Sequence, residues 1–131
     1  MKKIPYLYLF IALAITACET PAGGCSHPIR ASLTEYNFGA EGGSVIITVE
    51  DSFWWIGGVN SDPFSEKFEI TRDSSWRILK IEADWFTISK ESQHTLIVEV
   101  LPNVSETERW IHFGLEAGNC YLGIRITQSA E

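Results

Sequence analysis

The chain has 131 residues, 17 acidic against 10 basic side chains and a formal net charge of −7. No Lys/Arg cluster follows Lys3, so the basic footprint that nucleic-acid binding requires is missing and nucleic acid is not an expected partner. The length suits one domain with one core.

The first elements are targeting signals. Lys2 and Lys3 precede an apolar run from Ile4 to Ala14, and residues 1–17 read as a signal peptide. The run is shorter than the roughly 20 apolar residues of a membrane-spanning helix. Ile15-Thr16-Ala17-Cys18 resembles the bacterial lipobox, which implies that Cys18 becomes the acylated first residue and anchors the protein to a membrane. The alternative is an ordinary cysteine after a conventional signal. Removal of residues 1–17 leaves 114 residues with 8 basic and 17 acidic side chains, a net of −9. Residues 18–28 carry Thr20, Pro21, Gly23, Gly24, Ser26 and Pro28 without an apolar period, the pattern of a linker.

From residue 29 to 131 the pattern is that of β-strands. Ala31 to Phe38 alternates weakly and ends in the Gly39–Gly43 turn. Ser44 to Glu50 is rich in β-branched residues, with Val45, Ile47 and Val49 on one face. Phe53 to Ile56 reads as a strand broken at Gly57-Gly58 and again at Asn60-Ser61-Asp62-Pro63. A short strand at Lys67–Thr71 follows, then one at Trp76–Glu82 with Trp76, Ile78 and Lys80 on one parity, and then Asp84–Ser89. Leu96, Val98 and Val100 share a face; after the turn at Asn103–Arg109 so do Ile111, Phe113 and Leu115, leaving Trp110 and His112 opposite. The last run, Tyr121 to Gln128, places Leu122, Ile124 and Ile126 inside. With no amphipathic helix after the signal, seven to nine short strands predict an all-β fold, an immunoglobulin-like β-sandwich.

Once Cys18 is acylated, Cys25 and Cys120 are the remaining thiols, and outside the cytoplasm a pair is most simply a disulfide. Two separate reduced cysteines are the alternative.

Gly42-Gly43 before a Val-rich strand, Asp84-Trp85-Phe86-Thr87-Ile88-Ser89, Leu96-x-Val98-x-Val100, Asn103-x-Ser105, Arg109 and Ile124-x-Ile126-x-Gln128 together resemble the Bacteroidetes-associated carbohydrate-binding often N-terminal (BACON) domain. The resemblance covers Phe38 to Gln128. It implies an immunoglobulin-like sandwich on an exported protein of a glycan-degrading bacterium. Three tryptophans, Trp54, Trp55 and Trp76, compete for one tryptophan position of that pattern, and Trp110 stands where the family usually has a small or polar residue.

No Gly-x-Ser-x-Gly, His-Glu-x-x-His, phosphate loop or calcium loop is present, and His27, His94 and His112 are too scattered to specify a metal site. Glu66 with Glu69, and Glu106 with Glu108, read as solvated carboxylates rather than an acid/base pair. No catalytic residue, cofactor or metal is expected. Sugar rings stack on exposed aromatic faces beside polar groups. Trp85 is assigned to the core and Trp76 to either side. Trp54 and Trp55, as strand neighbours, cannot both point inward, so a glycan contact is expected at Trp110 and His112 with one of Trp54 and Trp55. The expected function is glycan binding by a non-catalytic lipoprotein of the outer membrane; the other class is a structural spacer or a module binding an envelope protein.

Overall fold

The computed structural model describes residues 25–131. The signal peptide at residues 1–17, Cys18 and the linker up to Gly24 lie outside the described residues. Among the described residues the fold is all-β, with strands β1 Glu35–Phe38, β2 Gly43–Thr48, β3 Trp55–Asp62, β4 Phe68–Arg72, β5 Ile78–Ala83, β6 Phe86–Ser92, β7 Thr95–Val100, β8 Arg109–Ala117 and β9 Cys120–Gln128.

Hydrogen bonding links them in the order β1-β9-β8-β3-β5-β6-β7-β2, with β4 attached to β5. β1 runs parallel to β9, and the remaining pairs are antiparallel. The joint between β3 and β5 is the single register pair Ile56–Ile78, on the edge of β5 opposite β4, whose Arg72 pairs with the same Ile78. One arm therefore contains β1, β9, β8 and β3, and the other β4, β5, β6, β7 and β2. The hydrogen-bonded path is one mixed, nearly barrel-shaped sheet rather than two separate sheets.

Alternation places the core. Ile111, Phe113 and Leu115 of β8, Ile124 and Ile126 of β9, Ile47 of β2, Leu96 and Val98 of β7 and Phe86 and Ile88 of β6 are buried in one cluster. Each such side chain contributes about 1.5–3 kcal/mol relative to exposure. This inner face is the one that the sequence period assigns.

Two expectations for the middle of the chain are corrected. Gly57-Gly58 does not end a strand: β3 continues to Asp62, and its register against β8 shifts between Ile56 and Val59. Glycines absorb such a bulge without a packing penalty, so the chain bends and keeps its pairing. Trp76 precedes β5 instead of belonging to it, and Ile78 and Ile81 both point inward because the β4–β5 register shifts between Thr71 and Arg72. Lys80 consequently turns outward, where its ammonium pairs with Glu82 at 3.0 Å.

Cys25 and Cys120 form a disulfide with Cα atoms 4.8 Å apart, which fixes the entering segment to the start of β9. Downstream of it Ile29 is buried, and Ala31 bridges Val49.

Candidate functional site

The outer face of β3, β8 and β9 is built from four cross-strand rows. Asp62, Trp110 and Thr127 form the first; Asn60, His112 and Arg125 the second; Gly114 and Gly123 the third; Trp55, Glu116 and Tyr121 the fourth. Trp110 and His112 therefore stand in adjacent rows. Trp55 lies six residues along β8 from Trp110, roughly 20 Å away at strand rise.

The glycine row is what shapes the face. Without Cβ atoms at Gly114 and Gly123, the ring of Tyr121 lies back across both, in contact distance of the place a Gly114 Cβ would occupy. Tyr121 is 61% exposed. Beside Gly123 the imidazole of His112 approaches from the second row, its Nε2 3.1 Å from the position of a Cβ there. A shallow hollow of about 290 Å³ opens between Tyr121 and His112 and the Gly58-Val59-Asn60 segment of β3. A flat phenol bordered by imidazole and carboxamide groups is chemistry suited to a ring with an apolar face and a polar rim.

Trp54 and Trp55 divide as their adjacency requires. Trp54 is 2% exposed; its Nε1–H donates to Gln93 O at 2.6 Å, and Lys90 Nζ sits 4.4 Å from the ring centroid while donating to Trp54 O at 2.6 Å. Burial lowers the Lys90 pKa from its ordinary value, against a smaller opposing effect of Asp73. Trp54 is thus a core residue and not part of a ligand surface. Trp55 is half-buried: Arg77 stacks 4.5 Å above its ring and 4.7 Å from Phe53, and its Nε1–H donates to Glu116 Oε2 at 3.1 Å.

Trp110 is on the outer side but only half-exposed, whereas His112 is exposed. Trp85 is buried, its ring 4.9 Å from Phe86 and covered by the Arg109 guanidinium at 4.2 Å. Among the described residues, no three His, Cys, Asp or Glu side chains group as metal ligands. Tyr121 is the residue that sequence reasoning missed as a candidate. Its signal was present: Ile124 and Ile126 facing inward turn Tyr121 outward, and the outward positions beside it, Gly114 and Gly123, are empty.

No family model and no curated protein matches the chain. Among solved structures it is similar to a protein from Bacteroides thetaiotaomicron determined by NMR, with a TM-score of 0.64 and 24% identity over 87% of this chain and 98% of that one. A Bacteroides ovatus GH5 xyloglucanase in complex with a XXXG heptasaccharide aligns with a TM-score of 0.48 and 14% identity, over 79% of this chain and 19% of the enzyme. The first likeness is one of fold; the second is too distant to bear on function.

Proposed function

We propose that the chain is a non-catalytic envelope lipoprotein of the BACON kind, anchored through Cys18 in the outer membrane, that binds glycan on the outer face of β3, β8 and β9. The observation that carries this reading is the exposed Tyr121 ring laid over the glycine row and bordered by His112 and Asn60. The split of the sheet into two arms joined at Ile56–Ile78 favours an immunoglobulin-like sandwich as its underlying plan. The Cys25–Cys120 disulfide favours export from the reducing cytoplasm.

A glycan array probed with the mature chain in detergent, beside Tyr121→Ala, tests the reading. Expected is a set of glycans bound by the parent and lost by the variant at unchanged melting temperature. Absence of any glycan signal for the parent, or equal binding by both, ends it.

One observation favours a protein-binding module instead. β4 is paired with β5 alone among the described strands, and Ile70 on it is exposed, so its other edge is suited to addition of a partner strand. Capture of an envelope protein lost on Ile70→Pro, together with a blank glycan array, is the outcome belonging to that reading.

A further inference from the structure

The disulfide determines at which end of the domain the amino-terminal segment arrives. Cys120 pairs with Ala117 at the β8–β9 turn, and in the neighbouring strands the same end contains Trp55 opposite Glu116 and the beginning of β5 opposite Ile56. The turn between β4 and β5, Asp73 to Arg77, thus projects from the end that receives Cys25.

Trp76 in that turn is 78% exposed and has φ of 65°, a conformation in which a bulky residue is an outlier. The turn is braced to hold it. Trp76 N–H donates to Asp73 O at 3.0 Å, Arg72 Nη1 donates to Trp76 O at 2.9 Å, and Asp73 Oδ1 accepts from the N–H groups of Ser75 and Arg77 at 2.8 and 3.0 Å. Glycine or asparagine would occupy that position without strain. The chain instead presents its largest type of side chain to water, and Phe53, 66% exposed, lies against the guanidinium of Arg77, the next residue of the turn.

Charge is divided between the two ends as well. The end that receives Cys25 carries Arg30, Arg72, Arg77 and Lys90 against Glu50, Asp51, Asp73, Glu91 and Glu116. The opposite end carries Lys67 and Arg109 against Glu41, Asp62, Glu66, Asp84, Glu106, Glu108 and Glu131. An anionic surface therefore repels the far end more strongly and turns the near end towards itself.

We infer that Trp76 and Phe53, with Arg72 and Arg77 behind them, dock the domain against the anionic phospholipid surface to which it is tethered. The inference rests on the lipid anchor at Cys18. Six residues lie between Cys18 and Cys25, and the seven Cα-to-Cα steps reach roughly 25 Å when fully extended, so this end stays close to the headgroups. Tryptophan favours that interfacial depth. Tyr121 starts from the row next to that end, and its ring lies back from it across Gly114 and Gly123 on the outer face of β8 and β9.

The test uses the acylated mature chain in phosphatidylethanolamine–phosphatidylglycerol vesicles containing lipid brominated high on its acyl chains. Metabolic palmitate labelling reports the anchor independently. Brominated lipid is expected to quench tryptophan fluorescence of the parent, and Trp76→Phe, with unchanged melting temperature, to lose most of that quenching. In palmitate-labelled protein, equal quenching of parent and variant, or none in the parent, overturns the docking face. A chain without palmitate overturns the anchor alone, and the same vesicles added to it still decide the docking face by the difference between parent and Trp76→Phe. Trp76→Ser provides a second variant: retention of the parent's quenching in it also overturns the docking face.

Discussion

Arg109 Nε–H donates to Gln128 Oε1 at 2.7 Å across the first register pair of β8 and β9. Gln128 is wholly buried, and its carboxamide nitrogen donates to Leu101 O at 2.9 Å, Gly39 O at 3.2 Å and Ala40 O at 3.3 Å. Arg109 Nη2 adds a bond to Leu101 O at 2.8 Å while the guanidinium covers Trp85. Burial lowers the pKa of this guanidinium from its ordinary value. The two side chains together tie β1, the β7–β8 loop and the β8–β9 hairpin at the end far from the disulfide.

Gln128→Leu keeps the volume and removes the amide. It takes one donor from each of three carbonyls, which keep Arg109 Nη2, Gly42 N–H and Asn103 N–H, and it leaves the Arg109 Nε–H without its acceptor beside a wholly buried side chain. The expected cost is about 2–4 kcal/mol, read as a lowered urea midpoint. A midpoint equal to the parent's contradicts the role given to the pair.

The disulfide closes a loop of 95 residues. On the chain-entropy account, reduction removes about 4 kcal/mol by freeing the unfolded chain. Urea unfolding with and without a thiol reductant measures it. A shift below about 1 kcal/mol would show that the bridge acts on the folded state with offsetting strain.

How far the fold was legible follows from which residues enforce a period. In β7, β8 and β9 strict alternation fixed both the strands and their inner faces, because a slip of one residue would expose every apolar side chain. In β3 and β5 the bulges beside Gly57-Gly58 and Leu79 changed the parity, and the tryptophans then fell on faces that local pattern did not specify. The candidate face was legible in half: Trp110 and His112 followed from alternation, whereas the Tyr121 platform depended on Gly114 and Gly123 being paired across strands, a tertiary register.

Gly114 and Gly42 predict opposite outcomes for one substitution. At Gly114 an added Cβ meets the Tyr121 ring, the free end of a surface side chain, which can swing away. Gly114→Ala is expected to change stability by less than about 1 kcal/mol and, on the proposed glycan-binding reading, to lower glycan affinity as is expected of Tyr121→Ala. At Gly42, with φ of 76°, the Cβ meets the carbonyl of Val100, which the β2–β7 pairing holds in place. Gly42→Ala is expected to cost about 1–3 kcal/mol. Equal melting temperatures for the two variants would refute the distinction.

Trp54 and Trp110 provide the corresponding contrast among aromatics. Trp54→Ala empties a site in the core, strands Gln93 O and removes the face under the Lys90 ammonium, so a loss of about 3–5 kcal/mol is expected. Trp110 is half-covered on the outer face, between Asp62 and Thr127, and its removal opens no cavity among buried neighbours. Trp110→Ala is expected to cost about 1 kcal/mol or less, which leaves the domain folded for a binding measurement. If a bound glycan runs along the face from Tyr121 past His112, the variant binds long chains less tightly than the parent and short ones equally well. Equal affinity for both lengths removes Trp110 from the site and confines it to the Tyr121 hollow. A Trp110→Ala chain that unfolds as readily as Trp54→Ala would instead make this indole part of the core, and its place on the outer face would have no bearing on recognition.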